Sequence, residues 1–225
     1  MMQQVLLNWG ANNLFGWGIV GMNLLFQWAH DPDLRPLMGS PISEQDLWTT
    51  DSLRIAHCRD AIMASNAFQA QLRRSPAPPR LPFPVVTGLG NGLLGPEPIL
   101  GKSSVARCIF EDTRLHELDR KLAPFDILLC ASQWNANLLR SHSRKNVEIV
   151  LEGIDPSLFH PGPKSGLLDP NRFYIFSGGK VEFRKGHDLV LLAFKEFSRR
   201  HDDAVLVTLW HSPWPQLSAE FQIGR

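Results

Sequence analysis

The sequence predicts an α/β protein in which parallel strands form sheets with helices on both faces. Two observations predict this class. Short apolar runs of strand length alternate with longer amphipathic segments, and this alternation is typical of strands joined by crossover helices. The strand candidates are almost continuously apolar, as in "QQVLLNW" (3–9), which is expected of strands that are buried on both faces.

The pattern restarts once, which predicts two domains. The segment "HPGPKSGLLDPN" (160–171) contains three prolines and two glycines and little apolar content, as domain linkers do. We therefore predict a doubly wound first domain at 1–160 and a second domain that begins at 172 and runs to 225.

The elements of the first domain follow from apolar runs bounded by glycine and proline and from helical spacing of apolar side chains. Six strands are predicted, at 3–9, 35–39, 84–91, 104–110, 126–132 and 147–153. Four helices are predicted between them, at 18–30, 52–73, 113–122 and from 133 to about 141. In the first helix, Ile19, Met22, Phe26 and Ala29 lie near one face.

The second domain begins with a strand at 172–179, a helix at 186–200 and a strand at 204–210. The helix carries an apolar side formed by Leu189, Leu192, Ala193 and Phe197. Two strands and one helix cannot close a doubly wound domain, so we expect an incomplete second domain. Apolar side chains are then expected on its surface, namely Leu189, Phe194, Phe197 and those of strand 204–210.

Composition excludes several functional classes. Lysine and arginine total 23 against 22 aspartate and glutamate, so no excess of positive charge favours a nucleic-acid partner. The N-terminus lacks the basic region of a secretory signal. The longest apolar stretch, 17–29, is too short and too polar to span a bilayer. These features favour a cytoplasmic protein.

The cysteines favour the same compartment. They are three in number and have no C-x-x-C spacing, which argues against a zinc site or a disulfide framework. We predict buried, reduced thiols at Cys58, Cys108 and Cys130.

"GWGIVG" (16–21) has the G-x-G-x-x-G spacing of a dinucleotide-binding loop. In the NAD fingerprint the first glycine directly follows the first strand, and an acid stands at the end of the second strand. Here six residues separate the first strand from Gly16, and no acid stands at the tip of the second strand. A tight strand-to-helix turn explains much of the pattern. An NAD-dependent oxidoreductase remains an alternative, and a loop of another function at the ligand crevice is favoured.

Two further motifs are discounted. "GPEPILGKS" (95–103) has five residues between its glycines and two prolines among them, and proline offers no N–H group to a phosphate. Glu111 and Asp112 are adjacent carboxylates at a strand end. A turn with a helix cap at Asp112 is favoured over a glycosidase pair, because neighbouring strand residues point to opposite faces.

"SGGKVEFRKGHDL" (177–189) favours an anion site. A strand ends in Gly178 and Gly179, and Arg184 and Lys185 directly precede a helix. Cations next to the positive end of a helix dipole suit phosphate. The alternative is a solvated basic turn.

Four segments resemble the GT-B fold glycosyltransferases of family 4, which are retaining enzymes that use nucleotide-sugars. These are "GWGIVGMNL", "DILLCASQWNANLLR" (126–140), "VEIVLEGIDPSLFHP" (147–161) and "FSGGKVEFRKGHDLVLLAF". The resemblance implies a GT-B-like fold with an acceptor-side Rossmann-like domain at 1–160. The donor-binding domain would then begin at 172 and be truncated in this sequence.

The resemblance also implies roles for individual residues. Arg184 and Lys185, with Gly178 and Gly179 facing them, would bind the donor diphosphate. Gly16 and Gly18 would approach the donor from the first domain. Glu111 stands where many members have a histidine near the acceptor, and Glu152 stands where the family usually has asparagine.

The implied reaction is transfer of a sugar from a nucleotide-sugar to a glycan, lipid or protein acceptor. It requires no metal and no cofactor, its catalytic residue is not identified, and peripheral membrane association is compatible with it. The family's late paired-glutamate motif is not in this sequence, so we expect no transferase activity from these 225 residues alone. The alternatives are a non-catalytic binding or assembly module with this fold and the NAD-dependent oxidoreductase.

Overall fold

The computed structural model describes residues 2–47, 50–75, 80–163 and 166–212. The chain divides into two compact units, Met1–Ile154 (the N-terminal unit) and Asp155–Arg225 (the C-terminal unit). This division falls shortly before the proline-rich segment at 160–171. The acceptor and donor roles that we assign to the two domains remain predictions.

Six parallel strands form the sheet of the N-terminal unit, in the order β2-β1-β3-β4-β5-β6. They are β1 (Gln3–Asn8), β2 (Leu34–Met38), β3 (Val85–Leu89), β4 (Ser104–Cys108), β5 (Ile127–Cys130) and β6 (Asn146–Ile149). Each coincides with a predicted strand. The α/β class and its Rossmann-like parallel sheet are confirmed.

Five helices accompany this sheet in the described part of the unit. They are α1 (Gly16–Ala29), α2 (Ser52–His57), α3 (Arg59–Leu72), α4 (Leu118–Leu122) and α5 (Gln133–His142). The prediction of one helix at 52–73 is wrong in detail, because the buried Cys58 leaves helical geometry between α2 and α3. The prediction of a helix that begins at 113 is also wrong. Glu117 has φ +57°, so regular helix begins only after it.

Helices cover both faces of the sheet, as the side chains of β1 show by pointing alternately to one face and the other. Leu7 packs with Leu25 and Phe26 of α1. Its neighbour Leu6 points the other way and packs with Val85 and with Phe68 of α3. A further cluster, on the Leu6 face, joins β4 and β5 to α4 and α5; it includes Ala106, Cys108, Leu122, Leu128, Cys130, Ala136 and Leu139.

The connection from β3 to β4 crosses the sheet without an α-helix. Gly95 lies against the Gly88 carbonyl and Gly101 against the Phe83 carbonyl, so closely that a Cβ at either position would overlap the β3 backbone. The element that follows Lys102 is strand β4 and not a helix. The glycines therefore serve close backbone approach, which agrees with the rejection of a P-loop at 95–103.

The C-terminal unit contains two parallel strands and one helix among its described residues: β7 (Phe173–Gly179), α6 (His187–Phe197) and β8 (Ala204–Trp210). The helix lies on one face of the β7–β8 pair. The rings of Phe173 and Phe197 are 6.2 Å apart, and those of His187 and Trp210 are 4.5 Å apart.

The predicted apolar side of α6 is packed only at Phe197. Leu189 and Leu192 are each 65% exposed, whereas Phe194 and Phe197 are half-buried. Residues 189–194 are all apolar, so the sequence does not show which side of α6 packs on the strands. The contact of the buried His187 with Trp210 determines that side. The predicted exposed surface is thus confirmed for Leu189 and β8 residues and is wrong for Phe194 and Phe197.

Apolar side chains also lie on the other face of the β7–β8 pair. Phe176 and Leu209 are 68% and 69% exposed there. Across the described segments, no helix has the length and hydrophobicity needed to cross a membrane.

The three cysteines are buried free thiols, as predicted. Burial raises the pKa of Cys130 to about 11 and raises that of Cys108 further still. Thiols with raised pKa values hold little thiolate and are unreactive.

Candidate functional site

The winding of the N-terminal sheet reverses at β1. β2 lies on one side of β1, and the chain then returns to place β3 on the other side. Loops that leave the carboxyl ends of β1 and β3 consequently run to opposite sides, which opens a crevice where ligands bind in parallel α/β proteins. The segments that border it begin after Asn8 and after Leu89.

Asn12 organises the loop between β1 and α1. Its side-chain Oδ1 accepts hydrogen bonds from the N–H groups of Leu14 (3.0 Å) and Phe15 (3.4 Å), and its own N–H donates to the Gly18 carbonyl (3.1 Å). A Cβ at Gly18 would overlap the Asn12 amide. Gly18 is therefore needed for the packing of this loop.

Trp17 places the first turn of α1 over the end of β3. Its carbonyl accepts a hydrogen bond from Trp9 Nε1 (3.2 Å), and the two indole rings meet edge to face at 5.8 Å. A Cβ at Gly88 of β3 would lie 2.8 Å from the Trp17 ring, and one at Gly21 would lie 2.7 Å from the Gly10 carbonyl. The later glycines of the motif thus permit strand–helix packing.

Gly16 differs from these glycines because its surroundings are open. No heavy atom lies within 4 Å of the position that its Cβ would occupy. The N–H groups of Gly16, Trp17 and Gly18 have no acceptor within the described residues, and Phe15 at the N-cap provides no side-chain cap. The helix start therefore offers unused donors and the positive end of its dipole.

The tip of β2 lacks the acid that a dinucleotide ribose would require. Gly39 and Ser40 follow this strand, and Gly39 packs so closely on β1 that a Cβ would lie 2.6 Å from Asn8 Cα. This packing explains why a small residue stands there. The lack of an acid at this position weakens the NAD alternative.

Asn8 and Thr87 form a buried polar pair that the sequence analysis missed. Asn8 Nδ2 donates to Thr87 Oγ1 (3.3 Å) and to the Glu97 carbonyl (3.0 Å). The pair connects β1 and β3 at the reversal point and holds the crossover segment against them. Its signal was a single amide at the end of an otherwise apolar strand.

Arg107 and Glu152 form a second pair that was missed. Arg107 lies in β4, its side chain is 8% exposed, and its Nη2 is 3.2 Å from Glu152 Oε1. The Arg107 Nε is buried and has no hydrogen-bond acceptor among the residues that the structure describes. A lone charge in the apolar strand "SVARCIF" was the signal. Glu152, which departs from the resembled family, is the partner of this charge.

Glu111 and Asp112 lie at a local turn after β4. Asp112 accepts hydrogen bonds from the backbone N–H (3.0 Å) and Nη2 (3.2 Å) of Arg114, which makes a local turn. The turn interpretation is confirmed, although Asp112 caps no helix. Glu111 is exposed, and its N–H donates to Asn91 Oδ1 (2.8 Å). Its acceptor-side role remains a prediction.

The predicted anion site of the C-terminal unit lies between β7 and α6. Gly178 and Gly179 end β7, a short 3₁₀ turn contains Arg184 and Lys185, and Gly186 precedes α6 with φ +66°. All three glycines have structural reasons. Gly178 lies under the Phe176 ring, and Gly179 (φ +142°) and Gly186 adopt backbone conformations that other residues rarely accept.

Glu182 is the residue of this segment that the sequence analysis missed. Its carboxylate pairs with Arg184 Nε (2.8 Å) and with Lys180 Nζ (3.2 Å). Burial works to raise the pKa of Glu182, but the two cations outweigh it, and the pKa is lowered. The alternation of charges in "KVEFR" was its signal. Glu182 and Asp188, in the first turn of α6, offset part of the positive charge of this segment.

Comparison with known proteins adds no family to this geometry. No protein-family model matches the chain, and no curated protein matches it significantly. The glycosyltransferase resemblance accordingly rests on the four sequence segments alone.

Proposed function

We propose that this chain is a glycosyltransferase, or part of one, that transfers a sugar from a nucleotide-sugar to an acceptor. One observation carries the proposal. Both units begin with a parallel strand, a glycine-containing turn and a helix, and each turn lies at the carboxyl end of its strand. In parallel α/β proteins this is where phosphate-bearing ligands bind.

The chemistry would be electrostatic stabilisation of a leaving nucleoside diphosphate. Within the N-terminal unit alone, the start of α1 offers three N–H groups that have no acceptor among the described residues, and the open space at Gly16 allows a phosphate oxygen to approach them. Arg184 and Lys185 would supply positive charge as the sugar–phosphate bond breaks. The sugar would pass to the acceptor oxygen, and the diphosphate would depart with the electron pair of the broken bond and take up the proton that the acceptor hydroxyl releases.

Glu182 would act as a positioning residue for Arg184. Arginine has five N–H donors, and Glu182 engages the Nε group. The Arg184 side chain is 49% exposed, so a diphosphate can reach its guanidinium. A guanidinium that is already oriented loses less freedom when it binds a ligand.

The test is calorimetric titration of UDP, GDP and uridine into the 225-residue chain and into Arg184→Ala and Lys185→Ala. We expect each variant to bind the diphosphates about tenfold more weakly, because each lost charge-assisted hydrogen bond contributes about 1.5–3 kcal/mol. Uridine binding should not change, since uridine carries no phosphate.

Arg199→Ala is the matched control, because Arg199 is an exposed arginine of the same unit that pairs with Glu196 at 2.8 Å. Diphosphate binding by both alanine variants at the wild-type affinity would contradict the donor-site assignment. Thermal protection by NADH and by no nucleotide-sugar would favour the oxidoreductase. Protection by neither would favour a non-catalytic binding module.

A further inference from the structure

We propose that Arg107 is the receptor for a forked oxyanion, a phosphate or a carboxylate carried by a ligand of the N-terminal unit, and that Glu152 closes this site when the ligand is absent. The site does not depend on the proposed sugar transfer.

The first argument is the incomplete pairing of a buried charge. The Arg107 side chain is 8% exposed, and among the described residues it forms an ion pair with Glu152 alone. Its buried Nε has no acceptor in the described part of the chain. A buried cation with an unused donor carries a desolvation cost that a single carboxylate oxygen offsets only in part. Such a group calls for a functional explanation.

The second argument is the geometry of the guanidinium. The Nε–H and Nη2–H bonds lie side by side on one edge, which is the edge that grips two oxygens of a carboxylate or phosphate. Glu152 places a single oxygen on Nη2 at 3.2 Å, longer than the about 2.7–2.9 Å of a strong charged pair. The edge that fits two oxygens therefore holds one.

The third argument is that the two partners differ in how firmly they are held. Arg107 is paired on both sides within the sheet, to Gly88 of β3 and Leu129 of β5. Glu152 lies in the irregular segment after β6, and its side chain is 40% exposed. Glu152 can leave Arg107 without breaking a helix or a strand, and Arg107 stays in place.

The surroundings suit a ligand that is larger than the anion itself. Gly88 lies beside Arg107 on the same face of the sheet and carries the half-buried Trp17 ring. A neighbouring aromatic ring offers apolar surface to the remainder of the ligand. Glu148 of β6 lies two strands away in the same row and is exposed, so Glu152 is the carboxylate that competes directly.

The experiment compares thermal unfolding of the wild type and Glu152→Gln in phosphate, malonate and chloride at equal ionic strength. Glu152→Gln removes the internal competitor and should lower Tm in chloride. Phosphate or malonate should then restore Tm, with half of the effect at a concentration about tenfold lower than in the wild type. The anion with the larger shift identifies the ligand class, and either one supports the proposal.

Glu117→Gln is the matched control, since it removes the same charge from an exposed pair with Arg120 at 2.7 Å. It should show no anion response beyond the wild type. The double variant Arg107→Gln/Glu152→Gln should lose the response, and Arg107→Lys/Glu152→Gln should keep only a weak one because lysine lacks the fork. An equal response in the double glutamine variant, or none in Glu152→Gln, would overturn the proposal.

A second measurement covers the case in which Glu152→Gln does not fold. Phosphate is titrated into the ¹⁵N-labelled wild type while arginine Nε–H resonances are recorded, and the Arg107 signal is assigned by its absence from Arg107→Lys. We expect this signal to shift with saturation. An unchanged Arg107 signal in both phosphate and malonate would refute the site.

Discussion

The two glycine-containing turns use different physical means to present a helix start. The turn before α1 is held by packing and by the neutral amide of Asn12, with Gly18 pressed against it. The turn before α6 is held by charge, through Glu182 between Lys180 and Arg184. Similar glycine-containing motifs thus produce a turn held by packing in one unit and a turn held by ion pairs in the other.

This difference predicts how each turn responds to change. A packed turn is sensitive to single added atoms and insensitive to salt. A half-exposed ion cluster tolerates volume changes but weakens as salt or acid screens or neutralises it. The predictions that follow test this contrast, beginning with the largest expected effect.

Gly18→Ala should lower the free energy of unfolding of the N-terminal unit by about 1–3 kcal/mol, the usual cost of overpacking. The new methyl group would overlap the Asn12 amide. Urea denaturation measures the change, and Gly16→Ala is the control because its Cβ position is open. Equal stability of the two variants would show that the α1 turn is not held by packing.

Asn12→Ala should cost about 1–2 kcal/mol in the same measurement, as the loss of a capping side chain does. The N–H groups of Leu14 and Phe15 would lose their acceptor. Asn12→Asp should keep the acceptor oxygen and recover part of the stability. If 1 M sodium chloride changed the cost of Asn12→Ala appreciably, the contrast with the charged turn would fail.

Glu182 should make the C-terminal unit sensitive to acid. Its pKa is lowered in the folded chain, so its contribution is present above the ordinary pKa of glutamate and is lost as pH falls through the folded value. The stability difference between wild type and Glu182→Gln should be at most about 1 kcal/mol near neutral pH. It should shrink as pH falls below the ordinary pKa of glutamate and vanish once pH is below the lowered pKa of the folded chain. A difference independent of pH would contradict the ionic account.

Leu192→Ser should change the stability of the C-terminal unit by less than about 0.5 kcal/mol, as exposed substitutions usually do. Phe194→Ser should cost clearly more, because Phe194 is half-buried and shares a helix side with His187 and Phe197, whose rings contact β8 and β7. Thermal unfolding of the two variants compares them directly. The reverse order would show that the apolar side predicted from the sequence is the packed one.

Much of the fold was predictable because the signals for strands are local. All six strands of the N-terminal sheet and both strands of the C-terminal unit coincide with apolar runs. Helix ends were less accurate. The break at Cys58 and the left-handed Glu117 depend on how their segments pack, which no nearby residue pattern reveals.

The residues of the candidate site were likewise predictable only in part. Gly16, Gly178, Gly179, Arg184 and Lys185 were predicted from short motifs, and the structure places them at strand ends and helix starts. Glu182 was missed although it lies two residues from Arg184. The alternation of charges alone does not show which cation a carboxylate will bind.

The sequence by itself determined the parallel α/β class, the strands and the glycine turns, because each depends on hydrophobic periodicity or backbone freedom within a few residues. Only the tertiary structure decided which polar groups meet. Asn8 reaches Thr87 across 79 residues, and Arg107 reaches Glu152 across 45. The physical reason is that buried polar groups are satisfied by whichever neighbour the strand order supplies.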